Sequence, residues 1–154
     1  MNSVNAMDGG KGFYTKNPMT ITVVMGGDSS EREVSLLTGA AISDALERCG
    51  HTVRRSDICA RNTSALDQPA DLIFIALHGK WGESGELQQL CEKKGLCYTG
   101  SGPKACELSM DKASAKQFFR RNGLETPDWM ILEEFHASPQ RKKWLTEIPL
   151  PVVV

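Results

Sequence analysis

No stretch of this 154-residue sequence stays apolar for long. The longest such runs, residues 72–77 and 150–154, fall far short of the roughly 20 residues a membrane-spanning helix needs. Residues 1–18 carry Asp8, Gly9, Gly10 and Lys11 and no apolar core of the kind a secretory signal requires. An excess of one charge is missing too: 18 basic residues face 19 acidic ones, for a formal charge of −1. That balance provides no global pull toward nucleic acid or anionic lipid, although a local basic pocket stays open. The run Arg141-Lys142-Lys143 has no interleaved aromatic residue and reads as a solvated face. Five cysteines form no CxxC pair and leave one over, which points to free thiols in a reducing cytoplasm rather than to a disulfide framework or a zinc site. His51 and His136 have no partner at metal-ligand spacing, so no metal site is expected within the chain.

What the sequence does contain is an alternation of strand and helix signals. Residues 21–25 are a continuous apolar run ending at Gly26-Gly27, the pattern of a strand buried on both faces. Ser30 and Glu33 have the spacing of a capping box, and Val34, Leu37, Ala41, Ala45 and Cys49 then recur every three or four residues, predicting one apolar helix face. Gly50 follows where a helix-ending glycine belongs. Further strands are expected at 52–57, 71–77 and 96–99. Further helices are expected at 85–94, burying Leu87, Leu90 and Cys91, from Ser101-Gly102-Pro103 onward, and at 112–122 with Ala115, Phe118 and Phe119 inward. Residues 129–132 and 151–154 are the last strand candidates. Helices that end at glycine and lead into strands are the mark of βαβ units, so the fold class expected is α/β, with a mostly parallel sheet flanked by helices.

Ligands of such sheets bind beyond the carboxyl ends of the strands. Two loops hold that position. The first, Gly26-Gly27-Asp28-Ser29-Ser30-Glu31-Arg32, is neither GxGxxG nor GxxxxGK[ST], which disfavours a dinucleotide or Walker-type phosphate cradle. Its Glu31 would stand at a helix mouth, where a carboxylate can pair with a substrate ammonium or merely complement the helix dipole. The second, His78-Gly79-Lys80-Trp81-Gly82-Glu83-Ser84-Gly85, followed by Glu86, gathers a histidine, a lysine and two glutamates after a buried strand. His78 could carry a proton, donate to an anion, or simply pack at the strand end, whereas Trp81 reads as loop packing. The turn from Tyr98 through Thr99, Gly100 and Ser101 to Gly102 could hold an anion, but is weak alone. Lys112, in the first turn of a helix, is by itself as consistent with solvation as with function.

Taken in order, Gly26-Gly27, Ser30-Glu31-Arg32-Glu33-Val34-Ser35, Ala76-Leu77-His78-Gly79, Gly82-Glu83, the Tyr98–Gly102 turn and Ser109-Met110-Asp111-Lys112 resemble the D-alanine–D-alanine ligases of the ATP-grasp superfamily, from about Thr20 onward. The sequence departs from that pattern at Ser84, where the family tends to carry Asp, at Gln89, where Gly is frequent, and at Cys97, where Pro is common.

The resemblance implies an enzyme that uses ATP and Mg2+ to phosphorylate one D-alanine and couple it to a second, for peptidoglycan synthesis. It implies that Glu31 orients the ammonium of the first D-alanine as a catalytic and substrate-binding residue, that Val34 contacts its side chain, that His78 lies near the reacting carboxylate, and that Lys112 reaches the nucleotide phosphates. The main nucleotide and metal ligands of the family fall beyond Val154, so this chain alone is expected to be inactive. Residues 1–19 read as a disordered leader, 20–110 as the N-terminal α/β substrate-binding domain, and 111–154 as the start of the ATP-grasp domain. A homodimer is the default assembly. The competing readings are a stand-alone module that binds a small amino acid through Glu31, and a dimerisation half.

Overall fold

The computed structural model describes residues 17–129. The expectations for residues 1–16, for residues 130–132 and for a strand at 151–154 lie outside them. Three strands, β1 (Thr20–Gly26), β2 (Thr52–Ile58) and β3 (Leu72–Ile75), form a parallel sheet in the order β2-β1-β3. Thr20 pairs with Thr52 on one side of β1, and Ile21 with Leu72 on the other. β1 is therefore central, and nearly all of it is buried, as its unbroken apolar run requires. A fourth segment adds only a bridge: Ile73 pairs with Tyr98, Ile73 N–H donates to Cys97 O (2.8 Å), and Thr99 N–H donates to Ile73 O (3.0 Å). The expected strand at 96–99 is thus a single rung, and β3 ends at Ile75 rather than Leu77 because the chain already turns toward the next helix.

Side chains alternate across β1 with the two-residue period of a strand. Ile21, Val23 and Met25 face helix α1 (Arg32–Arg48) and form one core layer with Ala76, against which Leu36, Ile42 and Leu46 pack. Val24 faces the opposite layer with Ile58, Ile73 and Leu77, closed by Leu66 of a short 3₁₀ turn (Ser64–Asp67) and by Leu87 and Cys91 of α3 (Glu86–Lys93). The sheet is covered on both sides, as the strand–helix rhythm predicts. A one-turn helix, α2 (Lys80–Glu83), which the sequence reading did not anticipate, precedes α3. Two more helices follow, α4 (Pro103–Met110) and α5 (Lys112–Arg121).

The expected apolar face of α1 is wrong. Val34 and Leu37 are 55% and 72% exposed, and Ala41 and Ala45 are exposed as well. The residues buried on the sheet are instead Ser35, Gly39 and Ser43, with Leu36, Ile42 and Leu46 beside them. Small residues win because α1 lies very close to β1: a β-carbon at Gly39 would stand 2.6 Å from Met25 Cβ. The hydroxyls buried in this contact are all bonded, Ser43 Oγ to Gly39 O at 2.7 Å and Ser35 Oγ as described below. The capping box also fails, since Ser30 and Glu33 make no cap bond and the helix starts two residues after Ser30. Phe118 and Phe119 on α5 are 48% and 41% exposed, so of the three residues expected inward only Ala115 is buried.

The chain divides between Ala115 and Lys116 into two compact units. In the second, Lys116 Nζ donates to Thr126 Oγ1 (2.8 Å) and Pro127 O (2.9 Å), Arg120 pairs with Asp128, and the Arg120 guanidinium lies 4.4 Å from the Trp129 ring centre. Among the described residues no helix is long and apolar enough to cross a membrane. The five cysteines are free thiols, and burial pushes the Cys91 thiol pKa up, which keeps it protonated and unreactive.

Candidate functional site

The strand order reverses at β1: the chain leaves it toward β2 on one side and returns to β3 on the other. The loops leaving the carboxyl ends of β1 and β3 therefore go to opposite faces of the sheet, the topology that in open α/β sheets places the ligand crevice beyond the strand ends. These are the two loops singled out in the sequence.

Hydroxyl groups fasten the loops together. Ser35 Oγ, wholly buried in the first turn of α1, donates to Ala76 O at 2.8 Å and accepts from Gly26 N–H at 2.9 Å. It thus ties the end of β1 to the chain leaving β3. Ser29 Oγ donates to His78 O at 3.1 Å and accepts from Glu31 N–H at 3.1 Å. Thr38 Oγ1, on the second turn of α1, lies 3.2 Å from His78 Nε2. The close approach of the loops also explains Gly79. Its φ of +81° suits glycine, and a β-carbon there would lie 2.6 Å from Ser29 Cβ and 3.1 Å from Glu31 Oε2.

Those distances bring Glu31 to Gly79, one residue from His78. Glu31 is the residue before α1, exposed, with its carboxylate over Gly79, next to His78 in the chain. The His78 ring is about one-third exposed (32%); its Nδ1 stands 3.5 Å from Glu83 Oε1, at ion-pair distance. Val34 follows Glu31 by three residues and precedes Thr38 by four, so the three share one stripe of α1. Because Thr38 meets His78, that stripe flanks the His78 loop, and the exposed Val34 side chain lies along it. The loop after β3 is fixed from below: Gln88, buried on α3, donates its amide to Gly82 O at 2.8 Å, and Trp81 packs against the core.

A second cluster borders the first loop. Arg32 donates to Gly27 O at 3.0 Å and pairs with Asp57 at the end of β2. Hydrogen bonding to Asp57, reinforced by its charge, raises the pKa of the Arg32 guanidinium. Lys112 is exposed at the start of α5 and makes no ion pair among the described residues. The structure does not bring it into contact with Glu31, Val34 or His78. The Tyr98–Gly102 turn serves the sheet: Thr99 Oγ1 accepts from Ile75 N–H at 3.0 Å, and Tyr98 OH donates to Glu92 Oε1 at 3.0 Å. Burial first, and that bond second, push the Tyr98 pKa up. Of the three departures, Gln89 and Cys97 are surface positions, while Ser84 ends α2 with its hydroxyl 3.3 Å from Glu86 Oε1. No group of three or more His, Cys, Asp or Glu residues is arranged to hold a metal among the described residues.

Sequence reasoning missed Thr38 altogether and quoted Ser29, Ser35 and Glu83 within the two loops and motifs without giving them a role in this arrangement. Their only signal was a cluster of hydroxyls and acids around two strand ends, which has no periodicity to read.

A parallel three-stranded sheet flanked by helices, its strand order reversing at β1, defines an α/β domain. Comparison with known proteins narrows this. No family model matches the chain. The D-alanine--D-alanine ligase of Gloeobacter violaceus is 42% identical over 140 residues, 88% of this chain and 45% of that protein. The D-alanine--D-alanine ligase of Oleidesulfovibrio alaskensis is 46% identical over 116 residues, 74% of this chain and 38% of the relative. Among solved structures, D-alanine--D-alanine ligase from Bacillus anthracis complexed with ATP superposes with a TM-score of 0.69 at 33% identity, covering 87% of this chain and 45% of that one. The chain is similar to the D-alanine--D-alanine ligases over their N-terminal portion, and it spans less than half the length of the curated relatives it matches.

Proposed function

We propose that the crevice binds the first D-alanine of an ATP-dependent ligation that makes the D-alanyl-D-alanine dipeptide for peptidoglycan synthesis. The observation that carries this reading is the Glu31 carboxylate poised over Gly79, the residue that follows His78. An α-amino acid presents a cation and an anion a few bonds apart, and a carboxylate next to an imidazole is the complementary pair. Glu31 receives the ammonium. Val34, exposed between Glu31 and Thr38 on the same stripe, meets the small methyl side chain. His78 faces the carboxylate, whose oxygen attacks the γ-phosphorus of ATP; the bond to the ADP oxygen breaks, giving an acyl phosphate and ADP. The amine of the second D-alanine then adds to the acyl carbon, loses a proton, and expels phosphate as the tetrahedral centre collapses. Donors aimed at the oxygens that gain charge lower both barriers.

Lys112 fits a phosphate contact chemically, as an exposed cation at a helix start with no ion pair among the described residues. It would bind the nucleotide. Magnesium, when bound, would neutralise phosphate oxygens; the described residues form no metal cluster. A cytoplasmic site of action and a homodimeric assembly complete the reading.

The similarity to ligases favours this over a stand-alone amino-acid-binding module or a dimerisation half. Because the chain covers under half of its relatives, the decisive experiment joins residues 20–154 to the remaining portion of the Gloeobacter violaceus ligase. The chimera is expected to release phosphate from ATP when D-alanine is present, whereas the 154-residue chain alone is not. Glu31→Gln removes a charge-assisted contact, and the KM for the first D-alanine should rise about 10- to 100-fold. An inactive but folded chimera, or an unchanged KM, would overturn the proposal.

A further inference from the structure

His78 meets a side chain at each ring nitrogen. Nδ1 stands 3.5 Å from Glu83 Oε1, and Nε2 stands 3.2 Å from Thr38 Oγ1. The two partners are chemically unequal. A carboxylate only accepts, and its negative charge 3.5 Å away favours the proton on the nitrogen that faces it, Nδ1. A neutral imidazole has one N–H, which leaves a bare lone pair on Nε2. A threonine hydroxyl rotates to suit and can donate to that lone pair. The main chain at His78 is held independently, by Ser29 Oγ on its carbonyl. Thr38 itself is fixed by its place on α1, whose packing on β1 is too close to admit a side chain at the next residue, Gly39.

We propose that Thr38 is a positioning residue for His78: its hydroxyl, opposite the Glu83 carboxylate, holds the imidazole in the Nδ1–H tautomer and in one orientation toward the crevice. The catalytic meaning of this arrangement rests on the ligase reading given above. The arrangement itself does not. Glu31, Val34 and Thr38 thereby divide one helix stripe, two positions facing the ligand and the third steadying the imidazole. With Nδ1–H kept on Glu83, only Nε2 is left to take up a proton, and the N–H so formed is the one that can turn from Thr38 to a bound carboxylate.

The test uses the 154-residue chain, labelled with 15N on histidine, at about pH 8.5, well above the ordinary imidazole range. Single-tautomer His78 shows two widely separated ring nitrogen signals, with the proton on Nδ1. In Thr38→Val, which keeps the shape and loses the hydroxyl, the two signals are expected to move toward each other as the tautomers exchange. Thr38→Ser should restore the separation. Amide spectra confirm the fold of each variant, and Thr38→Ala replaces the valine if that variant fails to fold. A proton found on Nε2 in the parent chain, or a separation unchanged in folded Thr38→Val and Thr38→Ala, overturns the proposal. The readout needs neither D-alanine nor ATP. An inactive chimera with a locked His78 therefore removes the functional reading alone, and an active one with an unlocked His78 removes this inference alone.

Discussion

Asp111, between α4 and α5, shows how one side chain can start a helix. Its Oδ1 accepts from Ala113 N–H (3.0 Å) and Ser114 N–H (3.2 Å), and its Oδ2 accepts from Ser114 Oγ (2.8 Å). These donors are otherwise unpaired at the start of α5, so the carboxylate completes the first turn. Bonding to Ser114, first through its hydroxyl and then through its N–H, lowers the Asp111 pKa below the ordinary carboxylate range. The folded form binds the proton less tightly than the unfolded chain, so the contribution of the cap is complete above the ordinary carboxylate pKa and is lost as pH falls through the lowered value. Amide shifts of Ala113 and Ser114 followed against pH should therefore titrate together, with a midpoint below that of an unstructured aspartate. Asp111→Asn should abolish the titration and keep the helix start, and Asp111→Ala should reduce amide protection in the first turn of α5. A midpoint at or above the ordinary value would remove the cap from this account. Lys112 stands directly after this cap, so the position proposed to meet phosphate is set by a neighbour that the sequence reading quoted only as part of a motif.

At the scale of the element, α1 separates what a sequence can tell from what it hides. The existence, type and approximate limits of α1 follow from spacing and from Gly50, and the three strands follow from apolar runs. The buried face of α1 does not follow, because apolar periodicity assumes that the contact is made by large side chains. Here the contact distance is so short that serine and glycine line it, and their hydroxyls find partners inside. Two substitutions distinguish these cases. Gly39→Leu forces a side chain against Met25 and should cost about 1–3 kcal/mol, as overpacking does. Leu37→Ser, on the exposed side, should change stability by no more than about 0.5 kcal/mol. Urea unfolding of both variants decides it, and a large loss at Leu37 with tolerance at Gly39 would mean the helix is rotated from its described face. The capping box failed for a related reason. Ser29, one residue earlier than the serine expected, is drawn to the His78 carbonyl, so the turn before α1 answers to the other loop rather than to its own helix.

Across the whole molecule, the sheet order was not legible in the sequence, although its parallel character was. Strand–helix alternation says that neighbours run the same way, but it does not say on which side of β1 each later strand settles. The candidate site was legible in part. Glu31, Val34 and His78 stood out through their motif; the structure sets the Glu31 carboxylate over Gly79 and Thr38, four residues after Val34, against His78. The groups that hold them there, Ser29, Ser35 and Thr38, are ordinary hydroxyls whose role exists only once residues 40 to 50 positions apart along the chain meet.

That separation has a consequence for how the crevice comes into being. The bonds that join one loop to the other span 40 or more residues, so no short segment can rehearse the site before β1, β2 and β3 are in register. Opening the crevice and dissolving the sheet should be the same event. In native-state hydrogen exchange, the amides of Gly26 and Ala76, which bridge α1, β1 and the end of β3, should require the same opening free energy as Val23 at the sheet centre. An appreciably smaller value at either would show that the mouth breathes on its own.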